Sequence, residues 1–162
     1  MMNLTEMYNM QFKLAEEIEG KHPRNGEDRA DMKFLGMLTE FAECANEHRG
    51  FKFWSTDRKP RPELKEEYVD GIHWLLEYGL DNGYRVTEDY SIINENSDVV
   101  EQFLQVFYLS SQLWVKGGEQ RYHNLFAGYL GLGQLMGYSS DEIEKAYFSK
   151  CEKNFKRQEN GY

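Results

Sequence analysis

Apolar residues recur at helical spacing through segment after segment of this chain, with almost no proline to interrupt them, and that pattern restricts it to an all-α fold. Only three prolines occur, two of them in the loop STDRKPRP. No segment shows the strict alternation of a half-buried strand. The periodicity predicts helices over about 4–19, 27–49, 63–80, 98–116, 119–136 and 140–159. The expected architecture is a helical bundle of about six helices with a four-helix core, and 162 residues suit one domain spanning 1–162. VVEQFLQVFYLSSQLW is apolar around most of its circumference, and FAGYLGLGQLMGY carries Gly128, Gly131 and Gly133 inside a helical pattern. Either the bundle interior or a subunit interface accounts for such surfaces.

The last helix breaks the pattern. DEIEKAYFSKCEKNFKRQ opens behind Ser139 or Ser140 as N-cap, and its inward stripe begins with Ile143, Ala146 and Tyr147. Continued at 3.6-residue spacing, that stripe holds Lys150, Asn154, Arg157 and Gln158, while Lys145, Glu152 and Lys156 take the opposite face. An inner face of this kind calls for a partner with negative charge and hydrogen-bonding edges.

Two other helices carry rows of acid. Glu40, Glu43 and Glu47 follow an i, i+3, i+7 ridge in LTEFAECANE, and Glu67 and Asp70 repeat the i, i+3 step in EEYVDGIHW. A solvated acidic face is one reading of such rows. Against it, no Lys or Arg lies between Phe34 and Glu47 to relieve the repulsion, and Glu67 is flanked on the helical wheel by Trp74 and Tyr78. Four carboxylates from two helices supply only hard oxygen donors, a set suited to Mg²⁺, which keeps several waters and bridges to substrate phosphates. Lys150 and Arg157 would then approach the same phosphate chain from the other side.

Composition narrows the partners. With 19 basic against 28 acidic residues and a net charge of −9, the chain repels nucleic acid and anionic lipid. No stretch reaches the roughly 20 apolar residues of a membrane span, and MMNLTEMYNM lacks the pattern of a secretory leader, so a cytoplasmic protein with no membrane partner is expected. Cys44 and Cys151 form no metal-like spacing and are expected as buried free thiols.

TEFAECANEHRGFKFW, EEYVDGIHWLL and YFSKCEKNFKRQENGY together resemble the dimeric, all-α dUTPases, relatives of the MazG-like nucleoside triphosphate pyrophosphohydrolases. The ExxE and ExxD motifs fall on Glu40, Glu43, Glu67 and Asp70; the closing KxxxNxxRQxxGY, sharper for the dUTPase branch, falls on Lys150, Asn154, Arg157, Gln158, Gly161 and Tyr162. The resemblance implies a homodimer that hydrolyses dUTP to dUMP and pyrophosphate, with dUDP a further candidate substrate. It implies the four carboxylates as Mg²⁺ ligands, Glu43 as the group that orients the attacking water, and Lys150 and Arg157 on the phosphates. Asn154 would contact the nucleoside, Lys52 a phosphate, and Trp54 would stand near the site; for the last two the alternative is an exposed loop. Gln11, on the stripe of Met7, Met10, Leu14 and Ile18, would read uracil, or else is a tolerated polar residue at a stripe margin. The second amide that some relatives carry one turn later is Ala15 here. A relative acting on another nucleoside triphosphate, a helical interaction module, and a di-metal redox bundle are the alternatives. The last would use Asp70 and His73 in a DxxH spacing, although the wheel turns His73 away from Glu67 toward the surface or a supporting position.

Overall fold

The computed structural model describes residues 2–87, 90 and 98–161. Among them are six α-helices and no strand: α1 Leu4–Lys21, α2 Ala30–His48, α3 Leu64–Asn82, α4 Val99–Lys116, α5 Glu119–Leu135 and α6 Ser140–Glu159. Local chemistry sets their ends. Asn3 caps α1 by accepting from the Glu6 amide, Asp98 caps α4 through the Val100 and Glu101 amides, and Ser139 with Glu142 forms a reciprocal capping box at α6. Glycine at Gly83, with φ of 71°, closes α3 in the left-handed region. The second helix starts three residues later than the periodicity predicts, because Arg29 instead ties the preceding turn together through Glu27 and the carbonyls of His22 and Pro23.

α3 is the hub and packs against α1, α2, α5 and α6. Its join to α5 explains two glycines. Tyr68 and Tyr129 stack at 4.9 Å, and each hydroxyl donates to the other residue's carbonyl, at 3.1 and 3.0 Å. A methyl group on Gly71 would strike Tyr129, and one on Gly133 would strike Tyr68. The glycine-rich helix is therefore bundle interior, buried from Leu125 through Gly133. α4 is two-faced: Phe103, Val106 and Leu113 are buried, whereas Leu104, Tyr108, Trp114 and Val115 are exposed. Leu35 of α2 is exposed as well and shares a pocket rim with Trp114. Both cysteines are free and buried. Among the described residues no helix is long and apolar enough to cross a membrane.

Candidate active site

Contacts between α2 and α3 run in opposite order along the two helices: Gly36 meets Trp74, Glu40 bonds Trp74, and the Glu47 carbonyl accepts from the Arg61 amide. The two acidic rows are thereby laid side by side. Carboxylate oxygens of Glu40, Glu67 and Asp70 lie within 4.8 Å of one another, enough for one cation to touch all three. Burial, then the charges of Asp70 and Glu43, push the Glu40 carboxyl up to about 7, against the Trp74 indole N–H that donates to it at 3.3 Å. Glu67 is raised by burial and by Asp70 and Glu43, and burial also raises Asp70. Glu43 is exposed and stands outside the close triad; it makes no hydrogen bond or ion pair with any described residue. The set is all hard oxygen, crowded and partly desolvated, which fits a divalent cation.

The last helix supplies the opposing charge. Lys150 is buried, and its Nζ donates to Asp70 Oδ2 at 2.6 Å and Glu66 Oε1 at 2.9 Å. Burial works against the ammonium, but those two carboxylates raise its pKa above the ordinary value and keep it charged. Asn154 and Gln158 are half-buried, as an inward stripe requires. Arg157 departs from the expectation: it is exposed, and with Lys153, Lys156, Asn160 and Gly161 it lines a basic cleft of about 470 Å³ at the end of α6. Tyr162 of the closing motif lies outside the described residues.

Gln11 is 4% exposed and sits on a cavity of about 200 Å³ whose wall includes His73, Trp74, Glu77 and Asn154. The amide donates to Glu77 at 3.0 Å, and its oxygen lies 2.8 Å from His73 Nδ1 and 3.1 Å from the Tyr147 hydroxyl. Trp74 joins this cavity to the acidic triad, since its ring lines the one and bonds the other. His73, expected at the surface or in a supporting position, is buried and stacks on Tyr147 at 4.1 Å, bonded to Gln11 and outside the acidic triad, so the DxxH ligand pair is not formed. A larger cavity of about 700 Å³, between α1 and the segment after α3, is lined by none of the four carboxylates.

Lys52 and Trp54 remain in the α2–α3 loop. Lys52 Nζ rests 5.6 Å from the Phe51 ring centre, and Trp54 is exposed against the edge of Phe53. Neither lines the Gln11 cavity. The sequence pattern left Glu66 and Glu77 unnoticed and gave Trp74 and Tyr147 no role beyond packing. Glu66 lies four residues before Asp70 and Glu77 four after His73, on shared faces of α3, so helical spacing alone could have found both.

Crowded carboxylates on one helix pair, a buried lysine against them and a small, mostly apolar cavity with a few polar groups alongside define an all-helical protein equipped for a cation and an anionic ligand. A family model described as dUTPase matches residues 3–162, and the chain belongs to that all-α family, which points to a nucleotide hydrolase. No curated protein matches the chain.

Proposed function

We propose that this protein hydrolyses dUTP to dUMP and pyrophosphate with Mg²⁺. The observation that carries the reading is the triad of Glu40, Glu67 and Asp70, bounded on one side by Lys150 and joined through Trp74 to the cavity of Gln11 and Asn154. Glu40, Glu67 and Asp70, with Glu43 at the rim, would hold the cation. When bound, it supplies positive charge for the phosphates and acidifies water. Glu43, without a partner of its own, orients and deprotonates the attacking water. Lys150 and Arg157 oppose negative charge on the triphosphate, Arg157 from the basic cleft that also holds Lys153 and Lys156. Gln11 and Asn154 hold the base and sugar side in a cavity of about 200 Å³, below the several hundred Å³ of a drug-sized site and suited to one small heterocycle.

Lys52 would reach a phosphate, and Trp54 would close over the nucleotide, only after movement of their loop. The protein would act in the cytoplasm as a homodimer, using the exposed apolar side of α4 with Leu35; it binds neither nucleic acid nor membrane. The test is a panel of dUTP, dCTP, dTTP, UTP and dATP with and without Mg²⁺, scored for pyrophosphate release, with dUDP scored for phosphate release. Fastest release from dUTP, dependent on the cation, is expected. Equal or faster release from another triphosphate would move the assignment to a different nucleotide, and no release from any would remove it.

A further inference from the structure

The polar atoms around Gln11 fix which of them remain for a ligand. Glu77 accepts from Lys33 Nζ at 2.7 Å on one oxygen and from Gln11 Nε2 at 3.0 Å on the other. An ionised carboxylate only accepts, so the Gln11 nitrogen must face it and the amide oxygen must face the other way. That oxygen lies against both the His73 Nδ1–H, at 2.8 Å, and the Tyr147 hydroxyl, at 3.1 Å. Both groups stand over the oxygen and block a ligand donor from it, although the single Tyr147 proton is shared between this oxygen and the Met7 carbonyl. The Tyr147 hydroxyl also lies 2.9 Å from the Met7 carbonyl, which anchors it to the backbone of α1. Gln11 therefore offers an incoming base one amide N–H and no acceptor.

The same bonds set the tautomer of His73. With Nδ1 donating to Gln11, a neutral ring carries only a lone pair on Nε2. The ring is neutral at physiological pH, because burial and then the Lys150 charge push its pKa down to about 3. Nε2 has no hydrogen-bond partner among the described residues and is closed off even from water, in a side chain that lines the cavity, so a base would reach it only with a small shift of the cavity wall. A buried acceptor left unsatisfied costs free energy that a ligand donor would recover.

Uracil presents an N–H at N3 between two carbonyls, and cytosine presents a lone pair at N3 beside an amino group. We propose that His73 is a specificity-determining residue, its Nε2 accepting the N3–H of uracil while the free N–H of Gln11 donates to an adjacent carbonyl. The inference rests on the proposed dUTPase function and adds what reads the imide. Cytosine would bring acceptor against acceptor at His73, a repulsive mismatch.

The experiment measures binding of non-hydrolysable α,β-imido analogues of dUTP, N3-methyl-dUTP and dCTP, with Mg²⁺, to the wild-type protein and to His73→Ala. Methylating N3 removes the donor, so wild type should bind the methyl analogue about ten- to hundredfold more weakly than the dUTP analogue. In His73→Ala, which also makes room for the methyl group, that ratio should fall below about threefold. Histidine ¹⁵N NMR of wild type supplies a readout independent of the variant's folding. Nε2 should resonate as an unprotonated nitrogen and shift when the dUTP analogue is added, but not with the N3-methyl analogue. A methyl penalty that survives in His73→Ala, no penalty in wild type, or a protonated Nε2 would overturn the role of His73. Wild-type protein that binds the dCTP analogue as tightly as the dUTP analogue would instead remove the uracil reading itself, so the two failures are distinguishable.

Discussion

The ammonium of Lys150 lies 2.6 Å from Asp70 Oδ2, so a side chain expected on phosphate is paired with a carboxylate expected on metal. Glu66 holds the same ammonium at 2.9 Å, and Lys153 reaches Glu66 at 3.3 Å. The lysine partly neutralises the acidic triad. A cation that takes Asp70 would free Lys150 for the phosphates, and the two ionic systems would then exchange partners instead of adding.

Replacing Lys150 with Met should therefore have opposite effects on two ligands. Mg²⁺ binding without nucleotide should tighten by roughly three- to tenfold, because a competing positive charge is gone. Nucleotide binding with Mg²⁺ should weaken by about ten- to hundredfold, the loss of a charge-assisted contact. Calorimetry of each ligand separately decides it. Weaker binding of both would mean that Lys150 organises the carboxylates and does not compete for them.

The raised carboxyl of Glu40 makes metal-free stability depend on pH with a definite sign. Its pKa is about 7 folded against 4.5 as the unperturbed value, so between these limits the folded state holds a proton that the unfolded chain has released. Stability from this group is complete below about 4.5, falls as pH rises toward about 7 and is level above that. Other acids titrate too, among them Glu66, whose pairing with Lys150 lowers it and works in the opposite sense. The difference between wild type and Glu40→Gln isolates the effect. The variant should gain about 1 kcal/mol on wild type from pH 4.5 to 7.5, after discounting for solvent at a partly exposed group. Parallel melting curves across that range would refute it.

Gly133 faces Tyr68 so closely that an added methyl group must move the ring. Gly133→Ala should cost about 1–3 kcal/mol in urea unfolding. Tyr68→Phe removes the hydroxyl that would be struck, at the cost of its bond to the Tyr129 carbonyl. Combined, the two changes should cost at least about 0.5 kcal/mol less than their separate sum. Additive costs would show that the ring stem, and not the hydroxyl, sets the fit.

What the sequence disclosed follows from how many neighbours each helix has. α6 has a true outer face, and helical spacing placed Lys150 inside and Lys145, Glu152 and Lys156 outside. Arg157 belongs to the same stripe yet is exposed beside half-buried Gln158, because helical spacing sets a face but not the burial of each long side chain on it. α3 packs on four other helices, so it has almost no outer face, and a wheel built on one apolar stripe turned His73 toward solvent when α1 and α6 in fact cover it. The acidic rows were legible as rows, but their meeting depends on the antiparallel course of α2 and α3. Lys150's partner Glu66 was hidden for the same reason: an ion pair across two helices leaves no periodic trace.

The four carboxylates can be tested without assaying catalysis. Glu43 is exposed, yet close enough for its charge to raise both Glu40 and Glu67. Metal-free protein should gain a few tenths of a kcal/mol from Glu43→Gln, since one source of repulsion is removed and no hydrogen bond is broken. Mg²⁺ stabilises the folded state in proportion to its affinity, so the rise in melting temperature on adding it should be clearly smaller in Glu43→Gln than in wild type. Pyrophosphate release from dUTP should fall at least about a hundredfold, beyond what weaker metal binding explains, if Glu43 also handles the attacking proton. Saturating Mg²⁺ separates the two contributions. The control must carry no bond of its own. Glu152 on the outer face of α6 serves, and Glu152→Gln should leave both melting and the Mg²⁺ response unchanged. Equal Mg²⁺ responses in wild type, Glu43→Gln and Glu152→Gln would place Glu43 outside the cation's reach and leave the triad of Glu40, Glu67 and Asp70 to hold it alone.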